Sequence, residues 1–237
     1  MWSGPRNLST ALLYSFAARG DCAVWDEPFY AAYLRATGIA HPMAAEIIAA
    51  NEPDPARVAA ACIGPVPQGQ SLFYQKHMTL HMIPGFDRSF MRACDNVFLI
   101  RHPARVVASY ARKRENPTLA DIGFVQQAEL FDEVAQQLGR APLVVDSADI
   151  LANPQGALSA LCAALEIPFT ARMLHWPAGP KRYDGTWAPY WYNAVHQSTG
   201  FEGVEGPLPN LVRAHAEIAE AALPIYERLT LQKLTSV

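Results

Sequence analysis

The chain has 237 residues and a formal net charge of −3, with 51% of its residues hydrophobic and 17% charged. This composition excludes an intrinsically disordered chain, and the length fits a single α/β domain with a core large enough for stability. The small net charge gives no reason to expect binding to nucleic acid or to a membrane surface.

The cysteines and the apolar runs indicate the cellular compartment in which the protein works. Cys22, Cys62, Cys94 and Cys162 are scattered, form no C-x-x-C pair and predict reduced core thiols. The sequence has no cationic, cleavable leader and no apolar run of about eighteen residues. We therefore expect a cytoplasmic protein that works without a membrane.

The chain opens with a small-residue turn that leads into an amphipathic helix closed by Gly20. Backbone N–H groups, hydroxyls and a cation at such a helix start form an anion nest, and an ordinary helix cap is the alternative. The candidate binding residues are Arg6, Asn7, Leu8, Ser9 and Thr10. The sequence of this loop differs from the G-x-x-x-x-G-K-[ST] loop of ATP-binding proteins. Only Met1-Trp2 precedes the loop, so the first strand is very short or the start is truncated.

Two candidate general bases follow the next two predicted strands. The first strand, Cys22 to Trp25, runs into Asp26-Glu27-Pro28, and helices are expected at about 29–37, 42–50 and 55–62. Glu27 is either an acid at a helix N-terminus or a base. His77, after the strand at 71–76, is either a hydrogen-bonded structural residue or a base. His77 and His81 lack the Glu of H-E-x-x-H, which argues against zinc.

The most informative motif is a strand that ends on an arginine and turns into a helix. Val97 to Ile100 are apolar without alternation, as is typical of a central parallel strand, and Pro103 fits the first turn of the next helix. Arg101 therefore lies at a strand's carboxyl end, where open α/β sheets bind ligands. Together with Ser109 it predicts a phosphate clamp, with a surface salt bridge and a small helix residue as the alternative.

The remaining elements continue the alternation of strands and helices. Thr118-x-x-Asp121 resembles a capping box for a helix that ends at Gln137, and a strand at 143–146 precedes a helix that ends at Leu165. This order predicts a central parallel sheet flanked by helices.

Residues 176–207 break the alternating pattern. They are rich in Gly, Pro and aromatics and predict a lid or binding loop, with an aromatic flap packed on the surface as the alternative. Helices are expected from about 208 to 233, with Pro224 starting or kinking the last one.

Three segments, in this order, resemble the P-loop-type sulfotransferases, which use 3′-phosphoadenosine 5′-phosphosulfate (PAPS) as donor. Pro5 to Ala11 look like that family's 5′-phosphosulfate loop, P-K-S-G-T-T-W, and Arg101 and Ser109 look like its 3′-phosphate pair. Residues 73–84 are similar to its K-T-H-L-P-x-x-L-L-P segment, whose His is a general base. Lys181, Arg182 and Trp187 match a late R-K-G-x-x-G-x-W stretch that closes over the 3′-phosphate.

The resemblance implies one sulfotransferase-like domain over 1–237, with a P-loop-containing nucleotide-binding fold. It implies a transferase that moves a sulfuryl group from PAPS to a hydroxyl or amine of a small acceptor, releases 3′,5′-bisphosphoadenosine (PAP) and needs no metal. His77, Arg6 and Glu27 are the catalytic candidates.

Two departures from the family pattern concern the chemistry. Arg6 and Gln75 stand where the family has Lys, and an arginine donates its proton poorly to a leaving group. A nucleotide-dependent kinase with a degenerate loop and a catalytically silent nucleotide-binding protein remain alternatives. The oligomeric state is open, with a homodimer among the options.

Overall fold

The computed structural model describes residues 1–201 and 203–235. Within these residues the chain forms five strands: β1 (Trp2–Ser3), β2 (Cys22–Asp26), β3 (Leu72–Met78), β4 (Val97–Ile100) and β5 (Leu143–Asp146). The strand order is β2-β3-β1-β4-β5. Strand β2 pairs with β3, and β1 and β5 pair with β4, all in parallel. The α/β class and the parallel sheet predicted from the sequence are confirmed.

The helices of the described residues lie between and after these strands. They are α1 (Ser9–Ala18), α2 (Tyr30–Thr37), α3 (Ala44–Ala50), α4 (Pro55–Cys62), α5 (Pro103–Ala111), α6 (Phe124–Leu138), α7 (Ser147–Ala152), α8 (Pro154–Ala164), α9 (Ala188–Trp191), α10 (Asn193–Gln197) and α11 (Arg213–Thr230). Short 3₁₀ segments occur at Pro67–Gly69, Thr79–His81, Ser89–Ala93 and Ala171–Leu174. In the described ranges no helix combines the length and apolar character that crossing a bilayer requires.

The described chain comprises two compact units. The first contains Met1 and residues 10–95 and 170–201, and the second contains residues 2–9, 96–169 and the described residues from 203 onward.

In the first unit, β2 and β3 align so that Asp26 stands opposite Lys76. Helices α2, α3 and α9 share a hydrophobic core, to which the tail of the unit contributes the buried rings of Trp187 and Tyr192. Part of the segment 176–207 forms α9 and α10, and its role as a lid or binding loop stays a prediction. The composition shows that the segment is rich in aromatic residues but does not show which of them are buried. A buried aromatic ring adds a large apolar area to a core.

In the second unit, β4 is fully buried and lies between β1 and β5. Helix α11 packs on α5 in an apolar cluster, and it begins at Arg213 rather than near residue 208. Pro224 lies inside α11, so it does not start a helix. After α11, the Leu234 N–H donates to the Val144 carbonyl at 2.8 Å and covers part of the β5 edge.

The start of α6 also differs from the sequence prediction. The Thr118 hydroxyl donates to the Asp121 carboxylate at 2.7 Å, and the Asp121 N–H donates back to the hydroxyl at 3.2 Å. These capping-box contacts close a separate turn, since Gly123 has a left-handed φ of 73° and α6 begins only at Phe124. The predicted contacts between Thr118 and Asp121 are therefore present, but the helix begins after Gly123 rather than at the capping box.

Candidate functional site

The loop between β1 and α1 is fixed to the carboxyl end of β4. A Cβ on Gly4 would stand 2.7 Å from the Ile122 carbonyl oxygen, so a larger residue needs a backbone shift. The Gly4 N–H donates to Gln127 Oε1 at 3.3 Å, and Gln127 Nε2 donates to the Leu99 carbonyl at 2.8 Å. Asn7 Nδ2 donates to the same carbonyl at 3.2 Å. These contacts fix the loop to β4 and α6.

The backbone of this loop is strained in the way that an anion nest requires. Arg6 and Leu8 have φ values of 63° and 74°, in the left-handed region that non-glycine residues rarely adopt. Left-handed residues within a turn direct neighbouring N–H groups into one concavity. Ser9 and Thr10 are the first residues of α1. Among the described residues, the buried Asn7 Oδ1 has no hydrogen-bond partner.

The second unit brings the predicted phosphate pair to this loop. Arg101 Nη1 donates to the Arg6 carbonyl at 2.8 Å, and Arg6 Nε donates to Ser109 Oγ at 2.9 Å. In the part of the chain that the structure describes, Arg101 Nε is buried without a hydrogen bond. The strand end, the following helix and the loop therefore contribute to one polar surface.

Two residues that sequence reasoning missed complete this surface. Arg101 Nη2 donates to Glu205 Oε1, and Arg105 Nε stands 3.1 Å from Glu205 Oε2. Arg105 also donates to the Gly206 carbonyl. We call Arg6, Arg101, Arg105, Ser109 and Glu205 the arginine cluster. The cluster holds three guanidinium groups and one carboxylate, which contacts Arg101 and Arg105, so it favours an anion.

Arg105, Glu205 and Gln127, which sequence reasoning also missed, differ in the signal that they left in the sequence. Arg105 lies one helical turn before Ser109 on α5, so the i, i+4 spacing places both on one face of that helix. Gln127 is a polar residue on the otherwise apolar face of α6. Glu205 left no local signal, because its partners are about a hundred positions away.

The first unit contains a second charged group, at the carboxyl end of β2. Lys76 Nζ donates to Asp26 Oδ1 at 2.8 Å, to Glu27 Oε1 at 2.5 Å and to the Tyr192 hydroxyl at 2.7 Å. The Tyr192 hydroxyl in turn donates to Asp26 Oδ2 at 2.6 Å. We call these four residues the lysine cluster. The Lys76 side chain is only 1% exposed and Glu27 only 6%, so the cluster is buried.

Burial sets the protonation of the two candidate bases. It raises the pKa of Glu27 to about 7, and the neighbouring Lys76 ammonium only partly opposes this rise. Burial acts against the Lys76 ammonium, but Asp26 and Glu27 together raise its pKa. Glu27 also has a φ of 43°, a strained value of the kind that clusters at functional sites. A carboxylate that titrates near neutral pH suits proton transfer.

His77 lies in the same unit in a more apolar setting. Its Nε2 is 3.1 Å from Gln75 Oε1, and its ring lies beside the rings of Phe29 and Phe90. Burial lowers the pKa of His77 well below its usual range, so the imidazole is neutral at physiological pH. The structure thus places both predicted bases in one unit and gives them different charge behaviour.

The three residues matched to the late family stretch also belong to the first unit. Lys181 Nζ lies 5.0 Å from the centre of the Tyr14 ring, and the Lys181 N–H donates to Asp184 at 2.7 Å. Arg182 is exposed, whereas Trp187 is buried and donates to the Tyr192 hydroxyl at 3.0 Å. Their nucleotide contacts remain a prediction.

Three comparisons with known proteins bear on the family and the fold. A family model described as "Sulfotransferase domain" matches residues 1–232. Two Arabidopsis thaliana proteins, "Branched-chain-amino-acid aminotransferase-like protein" 1 and 2, are each 36% identical to the chain over 96% of its length. The chain spans only 40% of each of these relatives.

A solved structure, "Sulfotransferase Domain from the Curacin Biosynthetic Pathway", superposes with a TM-score of 0.55 at 17% identity. The match covers 93% of this chain and 95% of that one. At this identity the likeness concerns the fold, and it confirms the sulfotransferase-like fold predicted from the sequence.

Proposed function

The chain belongs to the sulfotransferase-domain family, and from this membership we propose that it transfers a sulfuryl group from PAPS to a hydroxyl or amine of a small acceptor. The observation that carries the proposal is the contact of Arg101 with the Arg6 carbonyl and of Arg6 with Ser109. A doubly anionic adenylate needs cationic groups for both of its charged ends, and this surface supplies them.

The two charged ends of the donor bind to different residues of the arginine cluster and its loop. Arg101 and Ser109 bind the 3′-phosphate, since a guanidinium fork matches phosphate oxygens and a hydroxyl donates one further hydrogen bond. Arg6 and the N–H groups of the loop bind the 5′-phosphosulfate. ATP carries no 3′-phosphate, so the Arg101 contact favours PAPS over ATP.

The transfer itself needs positioning, charge stabilisation and a base. The bond between sulfur and the bridging oxygen of the 5′-phosphate breaks, and a bond between sulfur and the acceptor oxygen or nitrogen forms. Arg6 and the loop N–H groups stabilise the negative charge that develops on the leaving oxygen. The acceptor's proton passes to Glu27, whose pKa of about 7 suits the task, while Lys76 holds the carboxylate in place.

Calorimetry with PAP, 5′-AMP and ATP tests the donor assignment. We expect PAP to bind more tightly than 5′-AMP, because only PAP has the 3′-phosphate, and to bind equally with or without magnesium. Tighter binding of ATP with magnesium dependence would instead indicate a kinase. Labelled PAPS offered with a panel of alcohols, phenols and amines then tests transfer, and PAP binding without transfer to any of them would indicate a silent nucleotide-binding protein.

A further inference from the structure

We propose that Arg101 and Arg105 together form the receptor for the donor's 3′-phosphate, and that Glu205 occupies this receptor as an internal substitute which the nucleotide displaces. The inference rests on the proposed function, because it concerns the phosphate that distinguishes PAPS from other adenylates. It adds Arg105 as a phosphate ligand and Glu205 as a built-in competitor.

The geometry of the ion pairs is that of a bound anion. The two arginines contact different oxygens of one carboxylate, Arg101 through Nη2 at Oε1 and Arg105 through Nε at Oε2. Guanidinium groups bind both carboxylates and phosphates. Among the described residues Glu205 Oε2 is within ion-pair distance of Arg105 but has no hydrogen-bond partner, so the carboxylate fills the receptor without satisfying it. The Glu205 carboxylate therefore marks where a phosphate is held.

The segment that carries Glu205 is built to release it. Residues 203–212 contain no helix or strand, and Val204 is 74% exposed. Glu205, by contrast, turns inward, with its side chain 12% exposed. It stands beside Gly206, and a Cβ added there or at Gly203 would meet nothing within 4 Å. A side chain at either glycine position would thus meet no neighbour, and the arginines hold Val204-Glu205-Gly206 through the Glu205 carboxylate and the Gly206 carbonyl.

Charge decides the direction of the exchange. A phosphate monoester carries about 1.5 to 2 negative charges at neutral pH and three acceptor oxygens, whereas Glu205 carries one charge and two oxygens. With Arg6 adjacent, the cluster holds more positive charge than one carboxylate neutralises. The nucleotide's phosphate therefore replaces Glu205, at the cost of breaking its two ion pairs.

Glu205→Gln tests the competitor while keeping the shape of the side chain. Calorimetry should show PAP binding about 5- to 30-fold tighter than in the wild type, which corresponds to the loss of one or two kcal/mol of competition. The affinity for 5′-AMP should stay unchanged, since that nucleotide does not reach the receptor. Glu217→Gln is the matched control, because it removes the same charge from an exposed ion pair on α11.

Arg105→Ala, introduced into the Glu205→Gln chain, tests the second arginine. It should weaken PAP binding by about tenfold or more, as expected for a hydrogen bond to a charged group, and leave 5′-AMP binding unchanged. Glu205→Asp keeps the charge and should bind PAP more weakly than Glu205→Gln. Thermal unfolding of each variant verifies that it is folded before binding is compared.

The outcomes separate this inference from the donor assignment. If the wild type prefers PAP over 5′-AMP but Glu205→Gln binds PAP no more tightly, or more weakly, then Glu205 supports the arginines rather than competing with the nucleotide. That result overturns this inference and leaves the donor assignment intact. An unaffected PAP affinity in the Arg105→Ala double variant removes Arg105 from the receptor. Equal binding of PAP and 5′-AMP in both the wild type and Glu205→Gln overturns the donor assignment itself.

Discussion

The arginine cluster and the lysine cluster both join basic side chains to carboxylates, yet they differ in their access to water. Arg101 and Arg105 are 20% and 18% exposed at the side chain, whereas Lys76 is 1% exposed. A partly exposed pair can exchange its carboxylate for a ligand, because water and the ligand reach it. In a buried pair the charges stay together, and burial changes the proton affinity of its members. One cluster is suited to binding and the other to proton transfer.

The largest expected effect separates the two candidate bases. Glu27→Gln should lower kcat by about 10²- to 10⁴-fold, the usual contribution of a general base, while PAP binding is retained. In the wild type kcat should rise with pH through about 7, because only the ionised carboxylate accepts a proton, and this rise should vanish in the variant.

His77→Gln is the matched comparison for that experiment. The pKa of His77 lies well below its usual range, so a histidine base would give a kcat that is flat from neutral pH down past 6.5. If kcat collapses in His77→Gln and turnover is retained in Glu27→Gln, then His77 is the general base. Glu27 then has only a structural role in the lysine cluster.

Removing the cation tests the burial of the lysine cluster. Lys76→Met leaves Asp26 and Glu27 without their counter-charge and should lower the free energy of unfolding by about 3–5 kcal/mol. Lys233→Met breaks the partly exposed pair with Asp149 and should cost about 1 kcal/mol or less. Urea titrations measure both. Equal losses would contradict the contrast between buried and exposed pairs.

The arginine cluster should respond in binding rather than in stability. Arg101→Ala should weaken PAP binding by about 1.5–3 kcal/mol, the usual value of hydrogen bonds to a charged group. Arg213→Ala, which removes an exposed guanidinium from α11, is the control and should leave PAP affinity unchanged. Calorimetry measures the PAP affinity of both variants. An unchanged affinity in Arg101→Ala would show that Arg101 does not bind the 3′-phosphate.

Sequence reasoning worked where the chemistry is local. Arg101 and Ser109 share one strand–helix turn, so their spacing alone predicted that they lie on a common surface. The loop at Arg6 was recognisable because small residues and hydroxyls precede a helix. That the loop and the strand end meet, through Arg101 and the Arg6 carbonyl, follows from the rule that ligands bind at the carboxyl ends of parallel strands.

Sequence reasoning failed where the partner is distant in the chain. Nothing near Glu205 indicates that it faces two arginines about a hundred residues earlier. The contact of the Asn7 side-chain amide with the Leu99 carbonyl was not predicted either, and ligand binding by Asn7 stays a prediction. Lys76 is not among the predicted site residues, yet the alternation of β3 directs its side chain to Asp26 and Glu27.

Salt gives the smallest effect and the most direct comparison of the two clusters. Raising potassium chloride from low to high concentration should weaken PAP binding a few-fold, because mobile ions screen charges that water reaches. The stability difference between the wild type and Lys76→Met should stay constant over the same range, since buried pairs are screened far less. Calorimetry and urea titrations in the same buffers measure the two quantities. If both respond equally to salt, the lysine cluster is open to solvent, and burial can no longer account for the raised pKa of Glu27.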